Sequence, residues 1–375
     1  MIVLGVVLIV LGVGLSDSGD GSEVPQTADE VIARQWAEEP ARFTVSLSGD
    51  LLIHSPVYER ALALGGGSYD FAPLLEQVRP YVQDADLAVC HVETPMTPGP
   101  PQGYPVFNTP PELAKAIEQT GWEACDTASN HSLDGGQEGV DATLEALDRA
   151  GIEHTGSYAS AKASRKPLIL GVRGVRIAYL AYTTDTNGIP LPQPWTLDLA
   201  KPKRILADAE RASRRADVVI VNLHWGIDVV PEYTTEPSSK QRALVKQLTD
   251  SPHITAVVGQ GPHVAQSIDR VDGRYVVFSE GNLISAQGPD AGLSAESQEG
   301  LIALLDFVVD GDGARVESIR YVPVWVQHPD YTVLPAGPAL DKGDGDAASL
   351  RAAYDSIVEI AGRQAGVEPD PAKLP

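Results

Sequence analysis

The chain has 375 residues, enough for one large core or one core plus a small appendage. With 43% hydrophobic and 21% charged residues it reads as a folded globular protein, not a disordered one. Its 28 basic against 51 acidic side chains leave a net charge of −23. That excludes the basic face a nucleic-acid binder needs, and leaves the handling of any anionic substrate to a metal ion or a local base.

The elements follow in chain order. Residues 1–15, MIVLGVVLIVLGVGL, carry no charge and are followed by a polar stretch, SDSGDGSEVPQTADE. An apolar run of this length fits a signal-peptide core better than a full membrane span of about 20 residues. No basic segment precedes it and no cysteine placed to take a lipid follows it, and a buried N-terminal strand is the competing reading. The export reading makes 1–15 a signal peptide or membrane anchor and 16–40 a flexible tether. It places the remainder outside the cytoplasm, anchored or secreted.

From Phe43 onward strands and helices alternate. FTVSLSGD (43–50) reads as a buried strand, and residues 71–82 repeat Leu74, Val78 and Tyr81 at helical spacing. DLAVCHVE (86–93) is a second apolar run. A helix is expected over 111–121, with Pro at its start and Gly past its end, and EACDTASNH (123–131) is a third strand. Residues 137–150 align Val140, Leu144 and Leu147 on one helical face, ended by Gly151. PLILGVRGVRIAYLAYT reads as two strands joined at Arg173-Gly174. ADVVIVNLHWG (216–226) is a buried strand, 238–249 a helix, and ITAVVGQGPH (254–263) a strand and loop, with further strands in RYVVFSEGN and LIALLDFVVD. Residues 285–298 are expected as a loop. Cys90 and Cys125 are too few for a disulfide framework or thiolate cluster, and each lies in an apolar run, so buried free thiols are expected.

Alternating strands and helices imply largely parallel sheet covered on both faces, where ligands bind outside the carboxyl ends of the strands. The residues at those ends are Asp50 with His54 close behind, His91-Val92-Glu93, Asn130-His131, His224, and Gln260 followed by His263. Each alone has an ordinary explanation: an Asp after a strand forms turns or caps helices, and a single His is commonly a hydrogen-bonded polar group. Five successive strand ends bearing carboxylates, an amide and imidazoles, in a chain of eight histidines, point instead to a divalent transition metal such as Mn, Fe or Zn. A carboxylate bridging two ions is the arrangement used on phosphate esters. His91 shares a strand face with Glu93 and either supports the site or packs there. His154, His253 and His328 fall outside the pattern.

The segments SLSGDLLIH, HVETPMT, FNTPPELA, TASNHSLDGGQEGVDATLEAL, VIVNLHWG, GQGPHVAQSI and FSEGN, in this order, resemble the capsule and poly-γ-glutamate biosynthesis (CapA) family. The resemblance covers about 43–288 and implies a calcineurin-like metallophosphoesterase fold: a four-layer α-β-β-α sandwich of two mixed sheets covered by helices. It assigns 41–326 to that domain, leaving 327–375 as an irregular flank with a helix. It implies one or two divalent ions. Asp50 would be the first-strand ligand, Glu93 the bridging carboxylate, Asn130 and His224 ligands of the second ion, and His263 the last-loop ligand. His131 would protonate the leaving group or orient the scissile group, while Asp50 helps to activate water on an ester or amide centre. Asn108 and Asn282 match family positions near the site and are candidates for support or substrate contact, with turn chemistry as the alternative.

Two positions depart from the metallophosphoesterase pattern. Leu52 stands where a His is usual, with His54 as a possible substitute, and Gln260 stands where the last loop usually carries its first His. Two functions follow from the resemblance. One is an exported metal-dependent hydrolase of a phosphoester or of an anionic cell-surface polymer such as poly-γ-glutamate, tethered to the membrane by its N-terminal segment. The other is a non-catalytic component that binds or hands on such a polymer through metal.

Overall fold

The strands of this chain divide between two sheets, and the division decides which strand ends can meet. The computed structural model describes residues 39–370; the apolar segment 1–15 and nearly all of the expected tether 16–40 lie outside the described residues.

The first sheet is built on β1 (Ala41–Leu51), β2 (Leu87–Val92), β3 (Ala124–Asp126) and β4 (Glu153–Thr155), which run parallel. The second is built on β5 (Leu168–Val172), β6 (Val175–Thr183), β7 (Val218–His224), β8 (Ala256–Gln260), β9 (Ile268–Val271) and β10 (Arg274–Val277), in the order β5-β6-β7-β8-β10-β9. The chain then returns to the first sheet with β11 (Asn282–Ile284), β12 (Glu299–Asp310), β13 (Gly313–Gln327), β14 (Thr332–Pro335) and β15 (Val367–Pro369). There β12 lies antiparallel to β1, while β11 pairs in parallel with the end of β1. Both sheets are mixed.

The period-two alternation of each strand assigns its side chains to layers. Phe43, Val45 and Leu47 of β1, Leu87 and Val89 of β2, Ile177 and Tyr179 of β6, Val218 and Ile220 of β7, and Ala256 and Val258 of β8 make one buried core between the sheets. Ala88, Cys90 and Val92 face the other way. They pack beneath helices α1 (Ser55–Leu64), α2 (Ala72–Leu75), α3 (Arg79–Gln83), α4 (Leu113–Thr120) and α5 (Gly136–Ala150). On the far side, Val219, Val221 and Leu223 pack against α6 (Pro202–Ser213) and α7 (Ser239–Thr249). This is the four-layer α-β-β-α sandwich. Among the described residues no helix is long and apolar enough to cross a membrane.

The structure departs from the expected elements in several places. The helix expected over 71–82 is two short ones, α2 and α3, because Pro80 has no N–H for the Glu76 carbonyl and sits instead in a new first turn. The third strand ends at Asp126; beyond it the Ser129 and Ser132 hydroxyls take over the backbone hydrogen bonds (His131 N to Ser129 Oγ 3.0 Å, Ser129 N to Ser132 Oγ 2.7 Å). Helices α1 and α6 had no assignment in the sequence reading. Residues 327–370 are not an irregular flank: they complete β13, form β14 and β15 in the first sheet, and add α8 (Ala336–Lys342) and α9 (Ala347–Ala361), whose Ile357 and Ala361 enter the inter-sheet core. From Pro40 on the chain is one compact unit. Cys90 and Cys125, expected as free thiols, form a disulfide. They are directly paired across β2 and β3 with Cα atoms 4.4 Å apart, which is within disulfide reach.

Candidate metal centre

Strand alternation carries the inner faces of both sheets from apolar residues to polar ones at the carboxyl ends. On β2, Leu87 and Val89 are followed on the same face by His91 and Glu93; on β3, Ala124 by Asp126; on β7, Ile220 by Asn222 and His224; on β8, Val258 by Gln260. β1 alone breaks step. Leu47 pairs with Val89 and Asp50 with His91, so β1 carries one extra residue over that span, a bulge. The bulge turns Asp50 inward while Leu51 joins the outer layer. It is possible because Gly49 lies against the Gly281 backbone: a Cβ there would stand 1.9 Å from the Gly281 oxygen.

The result is a buried cluster. Asp50, His91 and His224 bring one ligand atom each together, and so do Asp50, Glu93 and His263. Asp50 Oδ1 lies 3.6 Å from His91 Nε2 and 4.0 Å from His224 Nδ1, while Asp50 Oδ2 lies 3.2 Å from His263 Nδ1. His263 Nε2 is 3.9 Å from Glu93 Oε1. The carboxylate common to both groups is therefore Asp50, whereas the resemblance had implied Glu93. His263 reaches the cluster from a residue with φ of 59°, a left-handed conformation uncommon outside glycine.

The residues also fit a cation by what they lack. Asp50 Oδ1, both Glu93 oxygens and Asn130 Oδ1 are buried without a hydrogen-bond partner among the described residues. Buried carboxylate oxygens normally have donors, and a divalent cation meets the same need.

Charge is strained accordingly. Burial and the neighbouring Asp50 push Glu93 up to about 7. Burial acts to lower His91 and His263, but Asp126, Asp50 and Glu93 overcome it for His91, raising it to about 9; Glu93 and Asp50 do so for His263, raising it to about 10. His224 goes the other way, held well below its ordinary value by burial and by His91, His263 and His131. Protons here partly fill the role that a cation would take.

The remaining expected residues divide. Asn130 donates to Asn187 Oδ1 (3.2 Å). His131 Nδ1 bonds Asp134 Oδ2 (2.8 Å), with the Phe107 ring edge-on at 4.7 Å. Asn282 pairs with Asp50 in register and places its Oδ1 3.1 Å from His263 Nδ1. Gln260, beside His224 in the ladder, donates to Glu280 Oε2 at 2.7 Å. His54 is not in either cluster: it precedes α1, accepts from Ala286 N (3.3 Å), and is held near 4 chiefly by burial. Asn108 braces its own loop, accepting from Thr97 and donating to Pro100 O, which is the turn chemistry foreseen as the alternative.

Sequence reasoning missed Asp126, Asp134, Asn187, Asn222 and Glu280. Asp134 stands in Asn-His-x-x-Asp and Glu280 in Ser-Glu-Gly-Asn, so both sat inside quoted motifs. Glu280 is fully buried and pushed up to about 8 by burial.

Residues 44–287 match the family described as bacterial capsule synthesis protein PGA_cap. The capsule biosynthesis protein CapA of Bacillus anthracis is 28% identical over 272 residues, which cover 69% of this chain and 64% of that protein. The PGA biosynthesis protein CapA of Bacillus subtilis is 29% identical over 187 residues, 48% of this chain and 47% of that one. The chain thus spans less than two thirds of the length of either relative. Among solved structures, the calcineurin-like phosphoesterase YfkN of Bacillus subtilis aligns with a TM-score of 0.48 at 10% identity, over 86% of this chain and 99% of that one. A phosphatase from Mycoplasma pneumoniae aligns at 0.46 and 13% identity, over 78% of this chain and 97% of that one.

Proposed function

The chain belongs to the bacterial capsule synthesis family PGA_cap, and from that premise we propose that it is an exported, metal-dependent hydrolase acting on an ester or amide bond of an anionic cell-surface polymer. The observation that carries this reading is the meeting of Asp50, Glu93, His224 and His263 with oxygens that find no donor among the described residues. Export is supported by the uncharged segment 1–15 and by the Cys90–Cys125 disulfide, a bond of oxidising compartments.

Asp50, Glu93, Asn130, His224 and His263 would hold one or two divalent ions, Mn, Fe or Zn by their mixture of oxygen and nitrogen donors. Such ions supply Lewis acidity and make water acidic enough to attack near neutral pH. The chain's own residues do the rest. Asp134 occupies Nδ1 of His131, leaving Nε2 to give a proton to the departing group. Asn282 steadies His263 against Asp50. With a net charge of −23, the chain would depend on such ions to hold an anionic polymer.

The test is metal content of protein purified without chelator. It is paired with hydrolysis of phosphodiesters, monoesters and poly-γ-glutamate by the wild type and by Asp50→Ala and His131→Ala. Metal-dependent cleavage lost in both variants is expected; full activity in both overturns the catalytic reading.

Gln260 favours a second reading. Its amide is turned to Glu280 and offers no imidazole, so the centre is leaner in strong ligands. A non-catalytic component that grips the polymer through metal would lose polymer binding to a chelator while cutting no bond.

A further inference from the structure

Resting on the metal-site reading above, we propose that His91 is itself a metal ligand, seated by Asp126, and completes a nitrogen-rich half of the centre with Asp50 and His224. Three observations point there. First, His91 is locked. Its Nδ1 lies 2.7 Å from Asp126 Oδ1, and the other Asp126 oxygen receives Asn222 Nδ2 at 3.0 Å, with all three side chains fully buried. An ionised carboxylate only accepts, so Nδ1 keeps its hydrogen, and Nε2 is the nitrogen left to coordinate once a cation displaces its proton. A carboxylate behind a ligating imidazole is the usual way a protein fixes tautomer and ring plane.

Second, Nε2 faces other ligand atoms. It stands 3.0 Å from His224 Nδ1 and 3.6 Å from Asp50 Oδ1, while the latter two are 4.0 Å apart. Bonds of about 2.0–2.2 Å to one ion set neighbouring ligand atoms roughly 3–3.5 Å apart. This triangle needs only small side-chain movement to close on an ion.

Third, Asp50 Oδ1, the oxygen facing both imidazoles, has no hydrogen-bond partner among the described residues. The Nδ1 donor of His91 goes to Asp126, and its Nε2 stands 3.6 Å from this oxygen, too far for a hydrogen bond.

The halves then differ in chemistry. Asp50, His91 and His224 offer two nitrogens and an oxygen; Asp50, Glu93 and His263 offer two oxygens and a nitrogen. The first suits Zn or Co, the second Mn.

The experiment is titration of the chelator-stripped full chain with Co(II), read by calorimetry for stoichiometry and affinity and by d–d absorption for the ligand field. For His91→Gln the expected result is loss of one tight Co(II) together with its absorption band, the other ion remaining. For Asp126→Asn, stoichiometry is kept and that ion is weakened roughly 10–100-fold. For Glu93→Gln, the other ion is the one affected. Wild-type stoichiometry, affinity and spectrum in His91→Gln overturn the assignment of His91 alone. If His91→Gln does not fold, as read by circular dichroism, Asp126→Asn decides, and unchanged affinity there overturns it. Absence of Co(II) binding by the wild type overturns the metal-site reading itself.

Discussion

Leu47 faces the core between the sheets and Leu51, four residues later on the same strand, faces the outer helices. In an unbroken strand residues four apart share a face, so the reversal measures the bulge between Leu47 and Asp50. The outer-facing Leu51 and the inward Asp50 are one event: apolar burial on the helix side fixes the direction of the carboxylate.

Gly49→Ala is therefore expected to injure both stability and the site. The added carbon would lie 1.9 Å from the Gly281 oxygen, which accepts the Asp50 amide, so the β1–β11 contact must open. Overpacking of this kind costs roughly 1–3 kcal/mol. Thermal unfolding should show a lowered Tm, and calorimetry a loss of metal affinity larger than that of a Ser48→Ala control.

Metal removal should lower stability as well as activity. An ion bound only by the folded state adds about 2.7 kcal/mol at a hundredfold excess over Kd. Without it, the Glu93 oxygens remain buried without donors among the described residues. The Tm should drop in EDTA and return on adding Mn or Zn; a Tm indifferent to both would contradict a tight site.

Asp134→Asn should act through His131. Asp134 Oδ2 accepts from His131 Nδ1 and from the Phe107 amide (2.7 Å), holding ring and loop together. An amide facing Nδ1 can present its own hydrogens and favour the other tautomer. On a substrate that the wild type cleaves, kcat should fall roughly 10–100-fold with KM little changed, by analogy with groups that orient a working histidine. His131→Ala should lose roughly 10²–10⁴-fold, the range for a general acid. Steady-state kinetics checks both.

The disulfide should be a stabiliser. It joins positions 35 apart in sequence, and bridges of this kind contribute roughly 2–4 kcal/mol. The double variant Cys90→Ala/Cys125→Ala, or the wild type in strong reductant, should unfold at lower temperature while still binding metal.

Glu299 adds its own pH dependence to stability. Burial pushes its carboxyl up to about 7 from an ordinary 4.5. With the folded value raised, its contribution is fully present below about 4.5 and is lost as pH rises through about 7. Thermal melts across this window should show that decline in the wild type and a smaller one in Glu299→Gln.

Much of this is legible in the amino-acid sequence alone. Apolar runs ending in Asp50, Glu93, His224 and Gln260 marked strand ends because burial on both faces demands such runs and the polar residue breaks them. Partnership between strands was not legible. One register, Cys90 opposite Cys125 and His91 opposite Asp126, creates both the disulfide on the outer face and the anchored imidazole on the inner face. Nothing local to either strand encodes that alignment. Asp126 was hidden for a further reason: the run 123–131 reads as continuous strand, and the serine hydroxyls that bend it after Asp126 act only in three dimensions. Pro80 by contrast was visible, and its helix-breaking effect was available from chemistry alone.

The ligand atoms are supplied by two parts of the chain that share no sheet: Asp50, His91 and Glu93 from the first, His224 at the end of β7 and His263 in the loop after β8 from the second. Each of the two ligand groups draws atoms from both parts. Loading must follow docking of one sheet on the other, and an ion once seated would act as a clasp, resisting any sliding of the two layers that the apolar core between them would tolerate.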